Sequence, residues 1–207
     1  MPNKFAVSVA DAYVFDSCDT GEALFEYSSI APSVLTYSNA LFTAKTLTDS
    51  SIDTTISNSD TRGGFGNQLL NVYYHSAEMT INFTDAKFNL LAIKALVGDS
   101  EYDETTASNN VITIAADYVP KTLEVFLVVK IAGEATDGCT GIIGSLLIWI
   151  ESAQLDGAVS IALTADGVAT TPFKARSLAD DGHYAKIYEF GAVTDTPGVS
   201  LSFALRP

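Results

Sequence analysis

The 207-residue chain is 47% apolar and 17% charged, enough hydrocarbon for a substantial core and too apolar for a disordered acidic tail. Its formal net charge of −14 opposes tight binding to the nucleic-acid backbone, which calls for clustered Lys and Arg; it leaves open a surface past which DNA slides without sticking, and simple solubility accounts for it equally well. Cys18 and Cys139 stand far apart with no second ligand type beside either, so neither a disulfide scaffold nor a zinc site is indicated.

In chain order, Phe5, Val7 and Val9 alternate as a strand, and Asp11 interrupts the stretch too early for a signal peptide. A second strand is expected over Glu22 to Tyr27. From Ser28 to Ser59 the composition turns to Ser, Thr, Asn and Asp with scattered apolar residues, which reads as a long extended arm or loop, and long excursions of that kind tend to contact something else. The glycine-rich RGGFGN follows. Three glycines, Gly63, Gly64 and Gly66, allow close backbone approach; without the Lys and Ser/Thr of a phosphate loop, or a helix after it, nucleotide binding is not indicated. Phe65, Leu69 and Leu70 would expose apolar surface unless covered, so Gly63, Gly64, Phe65, Gly66, Asn67, Leu69 and Leu70 are read as a contact loop between subunits.

Met79, Ile81 and Phe83 then alternate with Glu78, Thr80 and Asn82, a strand with one dry and one wet face. A helix is expected at about 84–97, with Thr84 as its N-cap and Gly98 after its end. At about 100° per residue, Phe88, Leu91, Ala92 and Ala95 fall on one side, and Ala86, Leu90, Ile93 and Val97 on the other. A helix with two apolar sides needs two covers; its own sheet is one, and the other is either a second subunit touching Leu90, Ile93 and Val97 or a loop or second sheet of the same chain.

After a polar segment at 100–110, the pattern stays β. Strands are expected at Val111 to Tyr118, at Leu123 to Ile131, where Phe126 and Val128 make the opposite face apolar too, and at Ile142 to Ile150, which is too short to span a bilayer as a helix. Ala158 to Thr164, Thr171 to Arg176, His183 to Phe190 and Val199 to Leu205 complete the set, punctuated by ADG, DDGH and TPG turns. Strands with two dry faces suggest packing between copies of the chain. The expected fold is mostly β, an antiparallel sandwich or barrel with one helix packed on it. It is a single domain over 1–207 with a candidate C-terminal β subregion at about 155–207.

Chemistry is thin. His75 and His183 are the only histidines, and no nucleophile signature stands near either. Asp99, Glu101, Asp103 and Glu104 miss the EF-hand spacing and its central glycine. No enzyme activity, cofactor or metal is indicated.

The order of features, a Ser/Thr-rich arm, GGFGN with QLL, an alternating strand ending in INFTDAKFNLLAI and a helix stopping at Gly98, resembles the tail tube proteins of tailed bacteriophages. The resemblance spans about 60 residues. It implies a virion structural protein of the tail: a homo-oligomer that stacks in hexameric rings around an acidic DNA-conducting channel. It also implies contact with other tail proteins, assembly in the host cytoplasm and no membrane anchor. Glu78, on the wet face of its strand, is the candidate channel-facing acid. The alternative is a capsid decoration or other β-sandwich attachment module that builds no tube.

Overall fold

The computed structural model describes residues 4–17, 24–63, 68–87, 90–97, 119–134, 140–156, 170–179 and 181–205. The strands expected at Val111 to Tyr118 and Ala158 to Thr164 lie outside them. Within them, long alternating runs become strands β1 (Lys4–Asp16), β7 (Leu123–Glu134), β8 (Thr140–Leu155) and β9 (Thr171–Ser177), with β10 (Lys186–Phe190) beyond. The Ser/Thr-rich region expected as an arm or loop carries β3 (Ser33–Thr36), β4 (Phe42–Ala44) and most of β5 (Leu47–Gly63), preceded by β2 (Phe25–Glu26). β6 (Gln68–Asp85) is the longest strand described, and β11 (Val193–Thr196) and β12 (Ser200–Phe203) end the chain.

Two antiparallel sheets result. The large one has eight strands in the order β4-β1-β7-β8-β9-β6-β5, with β10 paired to β8 off that path; the small one runs β11-β12-β3-β2. β4 and β5 stand at opposite ends of the large sheet, yet only Lys45 and Thr46 separate them in the chain. The sheet therefore curls until its ends meet, giving a sandwich-like body with a barrel-like half. Asp85 staples the seam: the Thr46 hydroxyl donates to its carboxylate, and the Ala86 N–H donates to the Thr46 carbonyl at 2.9 Å.

Period two sorts the side chains into two cores. On β1, Ala12 and Val14 join a first core inside the curl, with Leu123, Val125 and Leu127 of β7, Ile81 and Phe83 of β6, and Phe173 of β9. The residues between them, Tyr13 and Phe15, join a second core, with Phe126 and Val128 of β7 and Leu35, Leu201 and Phe203 of the small sheet. Aromatic rings knit each core: Phe83 stacks on Phe173 with centroids 4.4 Å apart, and Phe15 meets Phe126 edge-on at 5.6 Å.

The double dryness of β7 and β8 is thereby explained inside one chain. The first core covers one face and the small sheet the other, so no second copy is needed to account for it. This corrects the inference from the sequence, which anticipated strands over β2 and β12 but not β3 or β11, nor that the four pair into a second sheet.

The helix is likewise shorter than expected. α1 (Leu90–Val97) begins well after Thr84, which is the penultimate residue of β6. Thr84 is not an N-cap; its carbonyl accepts from the Thr48 hydroxyl, and Asp85 caps the turn that follows by accepting from the Lys87 N–H at 3.2 Å. α1 packs on β9 and β4, placing Ala92 in the first core. Among the described residues, no helix is long and apolar enough to cross a membrane.

Candidate assembly surface

β5 and β6 pair along their whole length, from Leu47 opposite Asp85 to Gly63 opposite Gln68. β9 supports β6 only from Met79 to Asp85. Beyond Met79 the two strands continue as a ribbon, roughly 30 Å long at ~3.3 Å per residue, with no further strand described beside them.

The ribbon's composition follows from its position. On one face, Ile52 and its partner Ile81 line the first core, as does Met79, whose partner Thr54 is exposed; the next rung, Ile56 opposite Ala77, passes the end of the body, and Ile56 is 58% exposed. Farther out, β5 is Ser, Asn, Asp and Thr, exposed on both faces, and Tyr73 is exposed opposite Ser59. A strand solvated on both sides has no hydrophobic alternation, so the sequence reads as loop. A register shift between Ser57 and Asn58 falls near the exit from the body, where a bulge bends and twists a strand.

The foot of the ribbon is anchored once more past β9. The Tyr184 hydroxyl donates to the Ala77 carbonyl, and the Ser177 hydroxyl holds the Tyr184 carbonyl at 2.8 Å. Asp181 and Gly182, both with positive φ, turn the chain that delivers Tyr184; the glycine suits that conformation.

The sequence-derived site residues distribute as follows. Gly63 and Gln68 are cross-strand partners, with Leu69 and Leu70 on β6, while Gly64, Phe65, Gly66 and Asn67 lie outside the described residues. Leu90 and Val97 bound α1. Ile93 is only 3% exposed in the single chain, so its own chain already covers it. Glu78 is exposed on the wet face of β6, opposite Thr55, and its carboxylate lies 4.0 Å from Arg176 of β9. Arg176 also holds Asp156 at 3.0 Å, and Lys174 holds the same carboxylate at 3.1 Å. The Lys174 hydrogen bond is the main cause that keeps Asp156 below the usual carboxylate range.

A second polar cluster, illegible in the sequence, binds the seam to the small sheet. Lys45 donates to Asp195 of β11 at 2.8 Å and lies 4.9 Å from the Tyr37 ring centre. The Tyr37 hydroxyl donates to Asp195 and accepts from the Gly198 N–H at 3.0 Å. Burial alone would raise the Asp195 carboxyl; the Lys45 and Tyr37 hydrogen bonds outweigh it and hold the group below its ordinary value. Asp11, half-buried nearby, is pushed up by burial against the pull of Lys45.

No curated protein matches the chain. The model of the YomU/Tube protein family matches residues 34–100 and 96–190, a span that takes in β5, β6, α1 and every strand from β7 through β10. The chain thus belongs to the YomU/Tube protein family, and it is a phage tail tube-type protein.

Proposed function

We propose that this chain is a self-assembling tail tube subunit, a structural and non-catalytic virion component whose copies form stacked hexameric rings around a DNA-conducting channel. The observation that carries the reading is the ribbon. A two-stranded hairpin alone is marginally stable in water, and this one extends past its body with Ile56 and Tyr73 exposed. Contact with a neighbouring copy would order it and cover those side chains. The segment from Gly63 to Leu70, which includes Gly64, Phe65, Gly66 and Asn67, is the proposed contact loop at its far end. The α1 face of Leu90, Ile93 and Val97 is a lesser contact, since Ile93 is already buried.

The net charge of −14 gives the channel its physical character. Carboxylates on the wall repel phosphates over a screening length of about 8–10 Å, so DNA meets few attractive traps. Glu78 is the assigned channel acid, partly compensated by Arg176. Other tail proteins start and end the tube, and assembly takes place in the host cytoplasm.

Negative-stain microscopy with sedimentation velocity of the purified chain tests the reading. Rings or tubes of uniform diameter are the expected result. A chain that stays monomeric at high concentration, even with a tail initiator complex present, refutes it, and binding to a capsid lattice without tubes would favour a decoration role.

A further inference from the structure

The small sheet stands apart from the rest of this acidic molecule in its charge. Residues 27–44 and 196–205 contain no Asp, Glu, Lys or Arg, so β3 and β12 carry no charged side chain at all. Their inward residues, Leu35, Leu201 and Phe203, fill the second core. The alternate positions turn outward, and the register sets Thr194, Ser202, Val34 and, at the β2 edge, the exposed Glu26 in one row across the sheet. Glu26 and Asp195 are the only charged residues on its four strands, and Asp195 is neutralised by Lys45.

One end of this sheet carries an apolar rim. The β2–β3 turn presents Ile30 at 88% exposed beside Tyr27 at 58%. The turn is rigidly organised: the Ser28 hydroxyl oxygen accepts from the N–H groups of Ile30 and Ala31 at 3.3 and 2.9 Å, and the Ser33 hydroxyl accepts from the Ser28 N–H at 3.0 Å. Ser33 pairs with Phe203, which brings the partly exposed Leu205 to the same end. A large aliphatic side chain held out in water by three hydrogen bonds is pre-organised for burial against a partner.

We propose that the outer face of the small sheet and its Tyr27–Ile30 rim seat a second copy of this chain, an assignment that rests on the tube reading. Two bodies of charge −14 repel each other, and like charges brought face to face oppose association. Copies can meet most closely where carboxylates are fewest, and on the outward side of these four strands Glu26, at the β2 edge, is the one carboxylate. Its hydroxyls offer hydrogen bonds without charge, and the rim supplies the apolar anchor.

Two exposed positions test it without disturbing the core: Ile30→Asp and Thr194→Asp, compared with Ile56→Asp on the ribbon, each checked for an unchanged circular dichroism spectrum. Sedimentation velocity across a concentration series is expected to show association of the wild-type chain, weakened at least tenfold in Ile30→Asp and in Thr194→Asp. Raising salt from 0.05 to 0.5 M is expected to strengthen wild-type association, because screening relieves the net repulsion while an uncharged contact loses nothing. Unaltered association of both small-sheet variants, or association that weakens with salt, overturns the proposal. If only Ile56→Asp disrupts assembly, the tube reading stands and this face is wrong; if the wild-type chain never associates, both fall.

Discussion

Glu124 shows what a single half-buried carboxylate does to the pH profile of this chain. The Trp149 indole N–H donates to it, Phe126 stacks on the indole with centroids 5.6 Å apart, and Lys186 lies 4.7 Å from the indole centre while donating to Glu151. Burial pushes the Glu124 carboxyl above the ordinary carboxylate range, the Trp149 hydrogen bond pulls it partway back, and the negative charge of Glu151 adds to the rise. A raised acid favours its protonated form in the folded chain, so its contribution to stability is lost as pH rises through the folded-state value. Glu124→Gln keeps an oxygen for the indole N–H and cannot ionise. Its melting temperature at pH 8 is expected on the order of 1–3 °C above that of the unmodified chain, with the difference vanishing near pH 4; a lower melting temperature at both pH values contradicts this account. Gly144 is a second residue with a defined limit. A Cβ added there would lie 2.7 Å from the Phe190 carbonyl oxygen, so Gly144→Ala must prise β10 from β8, at a cost of about 1–3 kcal/mol readable in a denaturant titration.

At the scale of elements, the ribbon is the part whose behaviour separates from the body. At its foot, the Tyr184 hydroxyl donates to the Ala77 carbonyl. Tyr184→Phe retains the ring that packs against the first core and removes only that bond. Amides of 72–77 are expected to exchange with deuterium several-fold faster in the variant, with global stability lowered by only about 1 kcal/mol; unchanged exchange would show that the hydroxyl does not anchor the ribbon. The same element explains what the letters reveal. β7 and β8 are legible because their apolar residues are buried on two faces, and β6 is legible from Met79 to Phe83 because one face is dry. β5 is not, since Ser50 to Arg62 owes its strand conformation to pairing with β6 rather than to burial. Of the small sheet, the strands expected at Glu22 to Tyr27 and Val199 to Leu205 contain β2 and β12, while β3 and β11 escape notice: four residues hold too few alternations to register, and β11 has only Val193 as an apolar residue. Of the candidate surface, the alternation around Met79 and Ile81 is enough to put Glu78 on an exposed face, while the contact loop at Gly63 to Leu70 stays a proposal. The Lys45–Asp195–Tyr37 cluster joins residues more than a hundred positions apart, a proximity that only the folded chain supplies.

For the whole molecule, charge and topology act on different properties. The excess of carboxylates opposes self-association, so lowering pH from 7 toward the sequence pI of about 4.2 is expected to shift the purified chain toward larger assemblies by light scattering; assemblies that dissolve over the same range would mean that ionised carboxylates hold copies together. Folding answers to topology instead. β1 and β7 send alternate side chains into both cores, so one layer of backbone is common property of the two halves. Neither core can melt while the other survives, because the strands that would be lost to one are the same strands that wall the other. Two hydrophobic interiors should therefore register in a calorimeter as a single cooperative transition, so that in the proposed tube neither half of a subunit would give way before the other.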